Sequence, residues 1–141
     1  MIVRNVMQRK VVTANPEVNL RQASKVMVDF HIGSLVILDK NQLVGMLTSS
    51  DILKSIAGGA DPESTLAGDV MSKKVVTIDP DKTIEDAVSL MLKNRIKKLP
   101  VTEGKKLVGI ITTSDIISIE PKLIESIAGL VNVKLPGFRG G

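Results

Sequence analysis

The feature that most constrains this chain is an internal repeat: a block of sequence recurs 64 residues later without a gap, as Val6 with Val70 and Asp51 with Asp115 show. The recurring segments are a Val-Met pair, a Val-Val-Thr run, a Leu-Val-Gly run and a Thr-x-Ser-Asp-Ile run. A period of this kind predicts two copies of one structural unit that close a core together. Breaker residues at 57–64 predict the linker. We expect one copy at 1–58, the linker at 59–68, a second copy at 69–120 and a tail at 121–141.

Each copy predicts the order strand, helix, strand, strand, helix. The expected strands are short β-branched or apolar runs at 11–13, 35–38, 43–48, 75–78, 99–101 and 107–112. Apolar residues at helical spacing predict the first helix of each copy: Leu20, Ala23, Met27 and Phe30, then Ile84, Ala87 and Met91. The final helices begin near Ser49 and Thr113, where hydroxyl groups and an aspartate can cap them. The predicted fold is therefore mixed α/β (α+β), with two βαββα repeats packed about a pseudo-twofold axis.

Composition narrows the possible functions. The sequence has no cysteine, which excludes disulfides, thiolate metal sites and cysteine nucleophiles, and its single histidine, His31, cannot form a zinc site alone. No nucleophile–base set or phosphate-binding glycine loop is visible, so we expect neither an enzyme nor a catalytic cofactor or metal. The apolar runs are too short to span a membrane and the N-terminus lacks a signal-peptide pattern, which predicts a cytoplasmic protein without membrane contact.

The net charge of +4 leaves a nucleic-acid partner open. With two Phe, no Trp and no Tyr, however, the chain lacks the aromatic platforms on which single strands stack. A solvated surface with spare lysines explains the charge more simply.

Several motifs occur twice and in register. They are the Val-Met pair, Thr-x-x-Pro after the first strand, Ile-Gly-Ser-Leu-Val at 32–36 with Leu-Pro-Val at 99–101, and Gly-h-h-Thr-x-x-Asp (h apolar) at 45–51 and 109–115. Together they resemble a tandem pair of CBS domains, the repeat named after cystathionine β-synthase. The resemblance implies a regulatory Bateman module that binds AMP, ADP, ATP or S-adenosylmethionine in clefts between the repeats and forms a disc-shaped homodimer. We expect AMP as the ligand and a separate protein as the regulated partner.

The strongest candidate residues are the Thr-x-x-Asp pairs Thr48–Asp51 and Thr112–Asp115. Each pair ends a strand and begins a helix, where free N–H groups favour a phosphate, and a carboxylate can accept hydrogen bonds from both ribose hydroxyls. The resemblance implies a ribose contact for the aspartates and a ribose or phosphate contact for the threonines. The same spacing also predicts a plain helix cap.

The remaining candidates are hydroxyls near the aspartates, residues that frame the adenine, and groups that face the phosphates: Ser50 and Ser114; Val12, Thr13, Val36, Val76, Thr77, Pro100 and Val101; Ser34, Lys97 and Lys98. Core packing, or solvated charge for the lysines, is the alternative. Because Pro100 has no N–H, we expect it at an exposed edge or a cleft rim. Ser-Ser and Thr-Ser stand where the family often has Glu-Arg, which argues against tight triphosphate binding.

The two sites are expected to be unequal. The basic residues before the second strand occur only in the second copy, so the cleft with Asp115 should bind better than the cleft with Asp51. His31 is expected to be a surface or dimer residue. Two alternatives stay open for the whole chain: a nucleic-acid-binding CBS protein and a ligand-free dimerisation scaffold.

Beyond the second copy, Pro121 can open a helix. Leu123, Ile124, Ile127 and Leu130 share a helical face, which predicts docking on the core or on a second subunit. We expect 135–141 to be frayed.

Overall fold

The computed structural model describes residues 1–123, 127, 128 and 130. The strands are β1 (Thr13–Ala14), β2 (Ser34–Asp39), β3 (Gln42–Thr48), β4 (Lys98–Glu103) and β5 (Lys106–Thr112). The α-helices are α1 (Leu20–Phe30), α2 (Ser49–Ala57), α3 (Ala67–Val70), α4 (Ile84–Asn94) and α5 (Thr113–Ile119), with 3₁₀ turns at Val3–Asn5 and Pro121–Leu123. The predicted mixed α/β class is confirmed. Across this described part of the chain, no helix combines the length and apolarity needed to cross a membrane.

The chain divides into two compact units. The first unit comprises residues 11–75, and the second comprises residues 1–10 together with 76–141. The first unit therefore contains the first repeat together with Val70 and Met71, which precede the second repeat in the sequence. The second unit contains the second repeat together with Val6 and Met7, which precede the first. The repeat boundaries drawn from the sequence stay a prediction.

In the first unit, β2 lies between β1 and β3. Thr13 pairs with Val36 in a parallel ladder, and Ser34 pairs with Thr48 in an antiparallel one. Helix α1 begins at an Asn19–Gln22 capping box and packs beside α2. The core consists of buried residues from these helices and strands: Leu20, Ala23, Met27, Leu35, Ile37, Leu47, Ile52 and Ala67.

In the second unit, β4 and β5 form an antiparallel pair. The prediction of a strand at 75–78 is wrong. Only Ile78 pairs there: its N–H donates to Pro100 O at 3.1 Å, and its carbonyl accepts from Thr102 N–H at 3.0 Å. The next bond of a parallel ladder would require an N–H from Pro100 to the carbonyl of Val76. Because proline has no N–H, the ladder stops after one bridge.

Pro100 lies in β4, which ends the strand order, so the expected edge position is confirmed; the residue is buried, so the expected exposure is wrong. It lies opposite Ile110 of β5. The N–H and carbonyl of Ile110 bond the backbone of Gln8 instead, at 2.9 and 2.8 Å. No N–H is therefore needed from Pro100 on this side, and on the outer side of β4 only the Ile78 bridge is present among the described residues.

The Val-Met segments explain the glycines within β3 and β5. The residue after Met7, Gln8, pairs with β5, and the matching residue in the first unit, Ser72, pairs with β3. A Cβ on Gly109 would lie 2.8 Å from the Gln8 carbonyl oxygen, and a Cβ on Gly45 would lie 2.9 Å from the Ser72 carbonyl oxygen. Only glycine allows the backbone to approach this closely.

The predicted helix faces are buried except at Phe30, which is 59% exposed, because α1 ends there. In the tail, Pro121 opens a 3₁₀ turn rather than an α-helix. Ile127 is fully buried and Leu130 packs against the core of the second unit, as expected for docking on the core. Ile124 and residues 135–141 lie outside the described residues.

Candidate functional site

The Thr-x-x-Asp pair of the first unit forms a capping box. Thr48 ends β3 and its Oγ1 accepts from the N–H of Asp51 at 3.1 Å. The Thr48 N–H donates to Asp51 Oδ2 at 2.9 Å. The cap that the spacing predicted is confirmed, and it holds the carboxylate through one oxygen. Within the described residues no hydrogen bond reaches the other oxygen, Oδ1.

The second unit repeats this geometry at the start of α5. Thr112 Oγ1 accepts from Asp115 N–H at 3.2 Å, and Thr112 N–H donates to Asp115 Oδ2 at 2.9 Å. Asp51 and Asp115 are both half-buried. The two carboxylates are therefore oriented alike by their own backbone.

A third capping box of the same pattern lies at the start of α4. Thr83 and Asp86 exchange hydrogen bonds of 3.1 Å in both directions. The N–H of Thr83 lowers the pKa of Asp86, and the Thr83 hydroxyl and the charge of Lys82 lower this pKa further. The sequence reasoning missed this pair although its Thr-x-x-Asp spacing was visible. Thr-x-x-Asp alone therefore marks a helix start, and a binding role needs further evidence.

The two candidate aspartates differ in a contact from a distant segment. Gln8 Nε2 donates to Asp115 Oδ1 at 2.9 Å. The residue at the matching position in the first unit is Ser72, whose short hydroxyl donates weakly to the carbonyl of Lys74 at 3.5 Å. The sequence gives no signal for the Gln8 contact, since the two residues are 107 positions apart.

The segments before β2 and β4 reach the same helix starts. Gly33 O accepts from Ser49 N–H, and Lys97 O accepts from Thr113 N–H, both at 2.9 Å. The predicted phosphate residue Lys98 stands opposite Thr112 in the ladder. The structure thus brings Lys97 and Lys98 beside the Thr112–Asp115 pair.

Lys98 and Ser34 occupy matching positions with different chemistry. Lys98 is half-buried, and both this burial and the charge of Lys97 lower its pKa. No carboxylate lies within 4.0 Å of it in the described part of the chain. Ser34 Oγ is buried without a hydrogen-bond partner among the described residues.

The other predicted residues fall into three groups. Ser50, Ser114 and Lys97 are exposed. Val12, Thr13, Val76 and Thr77 are half-buried. Val36 and Val101 are fully buried, which is the core packing considered as the alternative. His31 is exposed and ends α1 in a left-handed conformation with φ 54°, as expected for a surface residue. The base-framing role of these residues stays a prediction.

Two cavities add residues that the sequence did not single out. One of about 630 Å³ lies between α1 and α2 in the first unit, and one of about 370 Å³ flanks α4 in the second unit. Thr77 lines the smaller cavity, together with Lys82, Asp86 and Lys93. Neither cavity is lined by Asp51 or Asp115. Over the described residues, no group of three or more His, Cys, Asp and Glu could hold a metal ion.

Comparison with known proteins identifies the family. The CBS domain family matches residues 3–58 and 67–122. The chain is 34% identical to the uncharacterized protein MK0525 of Methanopyrus kandleri over 128 residues, covering 89% of this chain and 65% of that protein. It is 32% identical to the CBS domain-containing protein YhcV of Bacillus subtilis, covering 81% of both chains.

A solved structure supports the same assignment. The CBS domain pair of protein MJ0100, solved in complex with 5′-methylthioadenosine and S-adenosyl-L-methionine, superposes with a TM-score of 0.76 and 27% identity. The match covers 86% of this chain and 97% of that one. With both repeats matched by the family and the whole pair matched by a solved CBS domain pair, the chain belongs to the CBS domain family, as a tandem CBS pair.

Proposed function

We propose that this chain is a regulatory module that binds a small adenosine-containing molecule through Asp51 and Asp115. The observation that carries the proposal is that the capping boxes at Thr48 and Thr112 orient half-buried carboxylates through Oδ2, whereas Asp86 in the third box is exposed. At Asp51 the cap leaves Oδ1 without a hydrogen bond among the described residues.

The chemistry of ribose suits such a carboxylate. A ribose offers two neighbouring hydroxyl donors, and an ionised carboxylate accepts them in charge-assisted hydrogen bonds. Because the cap holds Asp51 in place before binding, little side-chain entropy is lost when the ligand arrives. The two molecules bound to the MJ0100 pair both contain adenosine, which supports the same ligand class for this chain.

The proposed ligand carries a single phosphate, as in AMP. Lys98 supports this because it is a half-buried cation without a carboxylate within 4.0 Å in the described part of the chain. An anionic group beside it would offset the cost of burying its charge. The first turns of α2 and α5 carry no arginine, which argues against tight binding of a triphosphate.

The proposed role is non-catalytic: ligand binding regulates a separate protein. The sequence has no cysteine, and its one histidine is exposed at the end of α1. The cytoplasmic location expected from the sequence is part of this proposal.

A homodimer is also proposed, on the evidence of an exposed apolar face on α1 and α2. Val28 is 70% exposed and Leu53 is 67% exposed, and both line the cavity of about 630 Å³. Exposed apolar residues grouped around a groove are typical of an interaction surface. Light scattering should give a dimer for the native chain and a monomer for Leu53→Lys, with Lys54→Ala on the same helix as the control.

A thermal-shift screen tests the ligand. AMP, ADP, ATP, S-adenosylmethionine and 5′-methylthioadenosine are compared, and a ligand at 100 times its Kd should add about 2.7 kcal/mol to the free energy of unfolding. Calorimetry then compares Asp51→Asn and Asp115→Asn with Asp86→Asn, which alters the same kind of cap on α4.

The proposal requires that at least one adenosine compound raises the Tm and that Asp86→Asn keeps the native affinity. It fails if none of the compounds raises the Tm, or if Asp86→Asn weakens binding as much as the other two changes. Salt-sensitive binding of duplex DNA or RNA without competition from AMP would favour the nucleic-acid alternative instead.

A further inference from the structure

The hydrogen bond between Gln8 and Asp115 makes the two candidate sites unequal in a way that the lysines do not predict. We propose that Gln8 competes with the ligand for Asp115, so that the site at Asp51 fills first with an uncharged adenosine compound. The inference rests on the proposed function, and it names the residue that sets the difference between the sites. For an uncharged compound, it reverses the order of affinities expected from the sequence.

Gln8 is held in place by its backbone. Its N–H donates to the Ile110 carbonyl at 2.8 Å, and its own carbonyl accepts from the Ile110 N–H at 2.9 Å. The preceding residue, Met7, is buried in the core of the second unit beside Gly109. The side-chain amide therefore starts from a fixed point on β5 and donates to Asp115 Oδ1 at 2.9 Å.

The first unit contains a matched position without the amide. Ser72 pairs with Met46 through two backbone hydrogen bonds of 2.9 Å, in the same manner as Gln8 pairs with Ile110. The serine side chain is too short to replace the amide, and its hydroxyl donates to the carbonyl of Lys74. Asp51 Oδ1 is consequently left without a hydrogen bond in the described residues.

The binding of a ribose depends on which carboxylate oxygens of Asp51 and Asp115 can still accept a hydrogen bond. At each aspartate, Oδ2 already accepts the N–H of the capping threonine, Thr48 or Thr112. A ribose hydroxyl that approaches Oδ1 meets an open acceptor at Asp51. At Asp115 the amide of Gln8 already occupies one lone pair of Oδ1, so the hydroxyl must displace the amide or share the oxygen with it. One exposed hydrogen bond exchanged in this way weakens binding by about fivefold, or ~1 kcal/mol.

The experiment uses 5′-methylthioadenosine as the probe. It carries both ribose hydroxyls and no phosphate, so Lys97 and Lys98 do not mask the effect of the carboxylates. Calorimetry on Asp51→Asn reads the Asp115 site alone, and adding Gln8→Ala should tighten binding there by about fivefold. Calorimetry on Asp115→Asn reads the Asp51 site alone, and adding Ser72→Gln should weaken it by a similar factor. Urea denaturation checks that each variant is folded.

The outcomes separate this inference from the proposed function. If the probe binds but Gln8→Ala leaves the affinity unchanged or lowers it, the inference is refuted and the proposed function stands. If the probe binds no variant, the inference is refuted. NMR of the free protein then shows whether the hydrogen bond between Gln8 and Asp115 exists. If Asp115→Asn shifts the side-chain amide resonances of Gln8, the hydrogen bond is present, and the lack of binding means that the protein has no ribose site.

Discussion

The three Thr-x-x-Asp capping boxes allow the structural role of the motif to be separated from a binding role. Thr48, Thr83 and Thr112 each accept one hydrogen bond from the N–H three residues later, at 3.1, 3.1 and 3.2 Å. Two of these threonines belong to the proposed ligand sites, whereas Thr83 begins α4. Replacing each threonine by alanine removes the same kind of N-cap from a different helix: α2, α4 or α5.

The expected loss of stability is similar for all three. Removing an N-cap threonine costs about 1 kcal/mol, because one N–H of the first turn loses its partner. For a chain near 150 residues, that change lowers the Tm by about 3 °C. Ligand affinity should respond differently. Thr48→Ala and Thr112→Ala keep the backbone N–H that holds the carboxylate but remove the hydroxyl proposed to contact the ribose or phosphate, which weakens their own sites by about threefold to tenfold.

The assay combines urea denaturation with calorimetry on each variant, with AMP and 5′-methylthioadenosine as ligands. Thr83→Ala controls for stability, since it should lower the free energy of unfolding without changing the Kd. Thr48→Ser retains a hydroxyl at the cap and should restore both stability and affinity.

Two results would refute this reasoning. If Thr83→Ala weakened binding as much as Thr48→Ala, the affinity losses would report general destabilisation. If Thr48→Ala and Thr112→Ala destabilised the protein but left both affinities unchanged, the boxes would be caps only.

Further predictions concern packing, a buried hydroxyl and pH. Gly45→Ala and Gly109→Ala should each lower the free energy of unfolding by about 1–3 kcal/mol, because the new methyl group overlaps the paired segment. Gly58→Ala, whose nearest neighbour would lie 3.4 Å away, should change it little in the same urea titration. Ser34→Ala should raise the free energy of unfolding by about 1 kcal/mol, since the buried Oγ has no partner among the described residues, and a decrease would show that a water or ligand satisfies it. Burial and Lys97 lower the pKa of Lys98 below 10.5, so the unfolded chain binds more protons between the lowered pKa and 10.5. The stability attributable to Lys98 should therefore rise with pH through that window, and Lys98→Met should lack this rise in urea titrations from pH 7 to 10.5.

Much of the local structure could be predicted from the sequence. The starts of α2 and α5 follow from Thr48 and Thr112, because a cap is formed by residues three positions apart. The α4 face of Ile84, Ala87 and Met91 follows from the helical period, and all three are buried. The repeat itself identified the family that the comparisons show.

Other features depended on residues far apart in the chain. The strand expected at 75–78 is reduced to one bridge because its partner is Pro100, and β-propensity cannot report the partner's missing N–H. Val36 and Val101 could not be assigned to core or cleft from the pattern, since an apolar residue suits both.

By itself, the sequence determined the repeated architecture and the capped helix starts, since these depend on periodicity and on neighbours within one turn. Only the tertiary structure decided which acceptors remain open at Asp51 and Asp115. Gln8 reaches Asp115 because both residues lie in the same compact unit, and a contact across 107 positions has no local signature.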